Sequence, residues 1–275
     1  ITVAERQQWQ CEFTQTTRDA APSLIRGGIL ADDMGMGKTI TMIALIAHRL
    51  VDRTLVVCPA PMVSVWTQEL ERLLCVDRFV IRECHGNTAD VIPTASTKKP
   101  VVCVTSYDTM KGNPGFSKQR AKNWNRVILD EAHLIKKKGT MRHEAVETLI
   151  KNTKPEVRWA VTGTPLPNKV DDLWPLLQFV GMEPFQDYNW FQRLLVRPIK
   201  ARDKQGIDRL ARVLEQVMLR RRPHHEVRNE AGQIVGRVLD LPEKTEQTIT
   251  VKLPKAQRAA YDRLWEASDA DRAAA

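Results

Sequence analysis

The stretch from Ile29 to Ile43, ILADDMGMGKTITMI, constrains the fold of this chain more than any other. A short apolar run (Ile29, Leu30, Ala31) leads into a turn containing Gly35 and Gly37, then into Lys38, Thr39 and a helix-like apolar pattern. Strand, tight loop and helix start, in that order, are the context a phosphate-binding loop requires. Gly35 and Gly37 permit the turn through which backbone N–H groups converge on phosphate oxygens. The first helical turn adds unpaired N–H donors and the positive end of its dipole. Lys38, expected as a largely exposed charge, would reach the β- and γ-phosphates, and the Thr39 hydroxyl would ligate Mg²⁺. Asp32 stands where the general pattern has its first glycine. An acidic turn before an ordinary helix is the plainer reading of these residues alone, and Asp130 decides between the two.

Taken in order, residues 1–26 are polar and weakly patterned, with Trp9 and Phe13 as the large anchors, and read as a lead-in segment. Ile40, Ile43, Ala44, Ala47 and Leu50 recur at helical spacing behind the loop. Thr54–Cys58 is a buried-strand run stopped by Pro59 and Pro61. Val63, Trp66, Leu70, Leu73 and Leu74 form a second helical face. Phe79–Ile81, Val101–Thr105, Val127–Asp130 and Trp159–Thr162 are further strand candidates, and Val170–Val180 a helix. Strands alternating with helices at this pitch predict an α/β fold with a parallel sheet covered on both faces. Ligands of such sheets sit at the carboxyl ends of strands, where Asp32–Thr39, Pro59, Ser106, Asp130 and Gly163 all fall. Residues 27–200 are expected to form this lobe.

Residues 201–275 change character and are expected to form a helical and β-hairpin extension. Ile207, Leu210, Ala211, Leu214, Val217 and Met218 keep the helical period and end in Arg220, Arg221, Arg222 and Pro223. Ile234–Leu241 and Thr245–Leu253 look like an antiparallel pair joined through Pro242. A last helix, begun by Ala256, Ala260, Leu264 and Trp265, runs into an alanine-rich end.

With 275 residues the chain can bury a substantial core. Lys and Arg number 42 against 33 Asp and Glu, giving +9 and a pI near 9.4. That balance suits a polyanionic partner, although a solvated basic surface gives the same totals. Cys11, Cys58, Cys75, Cys84 and Cys103 are scattered without a C-x-x-C pair, which argues against zinc and against disulfides. No apolar run approaches bilayer length. The chain opens on Ile1, so a piece of a longer protein is expected.

Asp130 supplies the second half of the chemistry. An apolar strand ending in Asp130-Glu131 puts one carboxylate where it can hold Mg²⁺ and a second where it can orient or deprotonate a water. Lys38, Asp130 and Glu131 are therefore the catalytic candidates. A lone Asp-Glu after a strand is otherwise a common helix N-terminus. His133, alone a packing or capping histidine, is here placed to sense the nucleotide.

With these residues the chain resembles the first RecA-like lobe of the Swi/Snf-type DNA-dependent ATPases of helicase superfamily two. The resemblance is carried by GGILADDMGMGKT (27–39), VVCPAPMVSVWTQEL (56–70), CHG (84–86), VTSYDTM (104–110), VILDEAHLIK (127–136) and VTGTPLPNKVDDLWPLLQFV (161–180). Within the family, 187–199, 217–222 and 241–253 look most like the helicase-like transcription factor branch. The resemblance implies a P-loop NTPase lobe with ATP and Mg²⁺ as cofactors and double-stranded or nucleosomal DNA as partner. It also implies a second RecA-like lobe in the same protein, ubiquitin-pathway partners where a RING insertion is present, and a nuclear location. The work implied is chromatin remodelling or DNA repair.

Carried over residue by residue, the resemblance assigns Asp32, Met34, Gly35, Met36, Gly37, Lys38, Thr39 and Ile40 to ATP, and Thr39 and Asp130 to the metal. Pro59, Ser64, Trp66, Thr105, Ser106 and Tyr107 match the DNA-tracking loops, although Trp66 and Tyr107 read equally well as core. His133, Thr162, Gly163 and Thr164 match the segment coupling nucleotide state to DNA grip, and Asn168 faces the same junction. Asp32 is usual in the family. Pro167 stands where many relatives have Gln, and Arg222-Pro223 replaces a common Thr-Lys. An adenine-reading glutamine is not recognisable, Gln7 and Gln8 being the nearest candidates. Two other readings stay open: a strand-separating DEAH-type helicase, and a non-hydrolysing DNA- or protein-binding scaffold.

Overall fold

Segments such as Arg53–Cys58 and Val101–Ser106 carry unbroken apolar runs of four residues and are buried along almost their whole length, as strands covered on both faces must be. The computed structural model describes residues 9–11, 13–14, 16–19, 25–75, 77–84, 98–112, 124–166, 168–229, 231–239 and 246–273. A short antiparallel pair, β1 (Trp9–Gln10) and β2 (Thr17–Arg18), comes first. There follow β3 (Gly27–Leu30), α1 (Lys38–His48), β4 (Arg53–Cys58), α2 (Val63–Leu73) and β5 (Val80–Glu83). Next come β6 (Val101–Ser106), α3 (Tyr107–Gly112), β7 (Arg126–Asp130), α4 (Met141–Thr153) and β8 (Val157–Val161). After them stand α5 (Trp174–Val180), α6 (Tyr188–Phe191), a π-helical turn (Gln192–Val196), α7 (Arg197–Lys200), α8 (Lys204–Val217) and β9 (Met218–Leu219).

Seven strands make one sheet in the order β5-β6-β4-β7-β8-β3-β9. Every pairing in it is parallel. Alternate residues of the central strands feed opposite layers. Leu55, Val57, Val127 and Leu129 pack with Leu149 of α4 and Leu176 of α5. Val56, Cys58, Ile128 and Val161 pack with Met42, Ile43 and Ile46 of α1 and Trp66 and Leu70 of α2. Each such side chain contributes about 1.5–3 kcal/mol when fully buried, so the expected sheet with helices on both faces is what these residues build. Because β7 and β8 lie between β3 and β4, the loops leaving β3, β7 and β8 are neighbours at one edge of the sheet, the place where open α/β sheets bind ligands.

Two features differ from the sequence reading. First, the helical run that carries Val213 and Val217 stops at Val217, and Met218 and Leu219 turn extended to pair with Ile29 and Leu30. The chain divides into compact units Ile1–Leu239 and Asp240–Ala275, so α8 and β9 belong to the first unit rather than to an extension starting at 201. Second, the hairpin joins β10 (Glu226–Arg228) to β11 (Ile234–Arg237), not Ile234–Leu241 to Thr245–Leu253. The turn decides this: Asn229 N–H donates to the Gln233 carbonyl at 3.0 Å, Gln233 N–H donates to Asn229 Oδ1 at 2.9 Å, and Gly232 takes φ 77°. Among the described residues of 246–254 no strand forms. In the second unit α9 (Lys255–Ala273) stacks Tyr261 on Trp265, with ring centroids 6.0 Å apart.

Candidate nucleotide-binding site

The loop after β3 is built as its glycines require. Gly35 and Gly37 take φ values of 79° and 73°, a region costly for any residue with a Cβ. A Cβ at either would meet nothing within 4 Å, so the backbone there borders open space. Gly37 is the N-cap of α1, whose first turn carries no acidic residue and keeps N–H groups for an incoming anion. Lys38 is half-buried rather than largely exposed: its Nζ donates to the carbonyls of Asp32 at 2.9 Å and Asp33 at 3.1 Å. Thr39 is half-buried beside it, and Met34 and Ile40 are exposed.

Asp32 departs from its expected place among the ATP-contacting groups. Its side chain is fully buried and receives the guanidinium of Arg221, from the arginine run after β9. Only its carbonyl addresses the loop, through Lys38.

Across β8, the register aligns Asp130 with Val161 and Val161 with Leu30, bringing Asp130 to the edge that holds the loop. The Asp130 carboxylate is held on both oxygens: Trp66 Nε1 donates to Oδ2 at 2.7 Å and the Glu131 N–H donates to Oδ1 at 3.0 Å. The Tyr107 hydroxyl donates to the Asp130 carbonyl at 2.8 Å. Burial raises the Asp130 pKa above the usual carboxylate range, while the Trp66 hydrogen bond and the Lys38 charge pull it back. Burial likewise pushes the Tyr107 phenol well up, which keeps it a neutral donor, and pushes the Cys58 thiol up to about 12.

Glu131 stands in the left-handed region at φ 48°, a strained conformation for a side-chain-bearing residue. Its Oε2 lies 3.1 Å from His133 Nδ1, which is also 3.1 Å from Thr162 Oγ1. Thr162 Oγ1 in turn accepts the Thr164 N–H at 3.2 Å. A methyl on Gly163 would lie 3.6 Å from Lys38 Nζ, so the Thr162–Thr164 segment passes beside the lysine. Lys38, Asp130, Glu131, His133 and Thr162–Thr164 therefore form one constellation of a cation, two carboxylates and a hydroxyl–imidazole relay.

The residues matched to DNA-tracking loops divide differently. Pro59 is half-buried and Ser64 exposed, at the start of α2. Trp66, Thr105, Ser106 and Tyr107 are 0–1% exposed and offer no side chain to a strand. Thr105 Oγ1 donates to the Cys84 carbonyl at 2.7 Å, and Ser106 Oγ accepts the Thr109 N–H at 3.0 Å. Trp66 follows Val63 and precedes Leu70 on the apolar stripe of α2, the spacing that marks a core position. Asn168 is exposed, with its N–H donated to Asp172 Oδ2 at 3.2 Å. Gln7, Gln8, His85, Gly86 and Pro167 lie outside the described residues.

The sequence reading missed Trp66 as a partner of Asp130 and Arg221 as a partner of Asp32. A buried-strand run ending in a carboxylate signalled that each carboxylate needs a partner, without naming which residue supplies it. It also missed a cavity of about 290 Å³ lined by Pro59, Tyr107, Asp108, Glu131, His133 and Arg142. A larger cavity, about 450 Å³, lies between α4 and α5 and includes none of the constellation.

Trp66→Phe is expected to cost about 2–3 kcal/mol of unfolding free energy, because it leaves a buried carboxylate oxygen without its donor. Denaturant unfolding checks this, and a change under about 0.5 kcal/mol, the scale of an ordinary surface substitution, would show that the indole bond contributes nothing.

Comparison with known proteins gives a consistent set of likenesses. Residues 7–275 match the family described as the SNF2-related domain. The chain is 32% identical to the DNA repair protein RAD5B of Arabidopsis thaliana, over 90% of this chain and 22% of that protein. It is 30% identical to the human helicase-like transcription factor, over 76% of this chain and 20% of that one. The chain thus spans about a fifth of the length of these relatives. Among solved structures, the Sulfolobus solfataricus SWI2/SNF2 ATPase core in complex with dsDNA superposes with a TM-score of 0.60 at 28% identity. That match covers 73% of this chain and 41% of the other.

Proposed function

The chain belongs to the SNF2-related domain family, and from that premise we propose that it is the ATP-binding first motor lobe of an enzyme coupling ATP hydrolysis to movement along double-stranded DNA. The observation that carries this reading is the register that brings Asp130, across β8, to the sheet edge where β3 leads into the Lys38 loop. A cation at a helix N-terminus and a strand-end carboxylate pair are what phosphoryl transfer to water demands, since its cost is mainly developing charge.

The groups present fit the cofactors. Thr39 and Asp130 offer the oxygen ligands that Mg²⁺ prefers, and the open, glycine-shaped loop suits a polyphosphate. Mg²⁺, when bound, neutralises charge on the terminal phosphates. Lys38 exchanges its carbonyl partners for phosphate oxygens, and the N–H groups of Gly35 to Thr39 cradle the rest. Met34, Met36 and Ile40 complete the proposed contact set. Glu131 orients the attacking water and takes its proton. His133, bonded towards both Glu131 and Thr162, passes the state of the site to Thr162, Gly163 and Thr164.

On the DNA side we assign Pro59 and Ser64, with Trp66 tying their helix to Asp130. The +9 charge suits a sequence-independent grip on phosphates. The partners proposed are duplex or nucleosomal DNA, a second RecA-like lobe of the same protein, and ubiquitin-pathway proteins, in the nucleus. The test is ATP turnover by the complete protein with and without blunt duplex DNA. Turnover is expected to rise with duplex, and the rise is expected to fade steeply as salt increases. Turnover indifferent to DNA, or displacement of a strand from forked duplexes, would overturn the translocase reading.

A further inference from the structure

The buried carboxylate of Asp32 makes a contact that the site's chemistry does not require. Asp32 is fully buried and Arg221, 189 residues further along the chain, closes on it with a two-pronged guanidinium. Arg221 Nε donates to Oδ1 at 3.2 Å and to Oδ2 at 3.1 Å, and Nη2 also donates to Oδ2. The Arg221 N–H adds a fourth bond, to Oδ1 at 2.8 Å. The main chain repeats the attachment: Ala31 N–H donates to the Leu219 carbonyl at 2.8 Å, and Asp33 N–H donates to the Arg221 carbonyl at 3.2 Å. Arg220 reaches Asp33 Oδ1 at 3.2 Å. The Asp32–Asp33 pair is thus gripped by 219–221 through its side chains and the Asp33 N–H, and by Lys38 Nζ through its carbonyls.

An ion pair at a fully buried carboxylate is poor material for stability alone, since taking that charge out of water offsets much of the attraction, and Arg221 itself keeps 38% of its side chain exposed. Its geometric effect is definite. A bidentate guanidinium fixes the plane of a carboxylate, and the N–H groups of Ala31 and Asp33, bonded to the Leu219 and Arg221 carbonyls, tether the backbone on either side of it, so the carbonyls of Asp32 and Asp33 are held as a unit. Those carbonyls are what hold the Lys38 ammonium at the open end of the loop.

We infer that Arg221 is a positioning residue for Lys38: through Asp32 it fixes the carbonyls that place the ammonium where phosphate arrives. The inference rests on the reading of Lys38 as the phosphate-binding lysine. It also gives the arginine run after β9 a task distinct from DNA contact. When phosphate takes the ammonium, Asp32 and Asp33 lose Lys38 as a partner and keep the 219–221 segment, so that segment still holds the loop in register.

The experiment measures affinity for a fluorescent ATP analogue and thermal unfolding of the chain and four variants. Arg221→Met is expected to bind about tenfold more weakly or worse, with Arg221→Lys between it and the unaltered chain, because lysine supplies the charge without the fork. Arg158→Met removes bonds to the carbonyls of Pro155 and Phe179, remote from the loop. It is expected to melt earlier while keeping its affinity within about twofold, the ordinary result for independent sites. Affinity unchanged in Arg221→Met, or lost equally in Arg158→Met, would overturn the inference. Lys38→Ala separates the two ideas: if it binds normally, the reading of the loop fails, whereas weakened Lys38→Ala beside normal Arg221→Met sinks this inference alone. Should Arg221→Met not fold, hydrogen exchange on the unaltered chain decides. Saturating nucleotide is expected to slow exchange at Ala31, Asp33 and Arg221 together, and protection of the loop without Arg221 counts against the inference.

Discussion

Glu131→Gln is expected to lower ATP turnover by about 10²–10⁴-fold, the usual worth of a positioned general base, while nucleotide affinity stays within about threefold. The amide has the shape of the carboxylate and can still meet His133 Nδ1, which lies 3.1 Å from Oε2. What it lacks is the ability to take a proton. The left-handed backbone at Glu131, φ 48°, is held from below by its own N–H donated to Asp130 Oδ1 at 3.0 Å, so the substitution leaves the loop in place. Separate measurements of turnover and of nucleotide titration check the split. Turnover within about threefold of the unaltered protein would remove Glu131 from the role assigned to it.

The parts of this architecture that were legible are those set by burial on both sides. Leu55, Val56 and Val57, or Val127, Ile128 and Leu129, can only be strands under two helical layers, and the carboxylates and glycines at their ends mark the ligand edge. β9 was not legible because two residues have no periodicity; Met218 and Leu219 become a strand only once Ile29 and Leu30 are beside them. The hairpin was misassigned because Ile249, Val251 and Leu253 alternate well, whereas the pairing that forms is set by the Asn229–Gln233 turn. Alternation reports a face looking for cover, and all three residues are exposed.

At the site, residue type identified the chemistry but not the direction of side chains. Thr105, Ser106 and Tyr107 sit at the carboxyl end of β6, where a hydroxyl can face outward or turn in. All three turn in, one to the Cys84 carbonyl just past β5, one to cap α3 and one to the Asp130 backbone. Asp32 had the same ambiguity. Its solution depended on Arg221, a partner too distant in sequence for any local pattern to name.

Lys38→Ala is expected to weaken nucleotide binding by about 10²-fold, close to 3 kcal/mol, the worth of one or two charge-assisted hydrogen bonds to phosphate. Its effect on the fold should be smaller, one loss set against two offsets. The ammonium donates to two carbonyls, at 2.9 and 3.1 Å, and such bonds to a charged donor reach about 1.5–3 kcal/mol when fully buried. Lys38 is only half-buried, so water replaces much of what is lost. In addition, Lys38 is the first residue of α1, where a positive charge opposes the helix dipole by about 0.3–1 kcal/mol, and its removal returns that amount. The balance is a loss of about 1 kcal/mol, which is read as a shift of the denaturant midpoint at unchanged m. Unaltered nucleotide affinity would show that the loop is not a phosphate site. A stability loss above about 3 kcal/mol, the scale of breaking a buried charge pair, would instead make Lys38 a structural clamp on Asp32 and Asp33 and leave the loop without the mobile ammonium that the proposed chemistry needs.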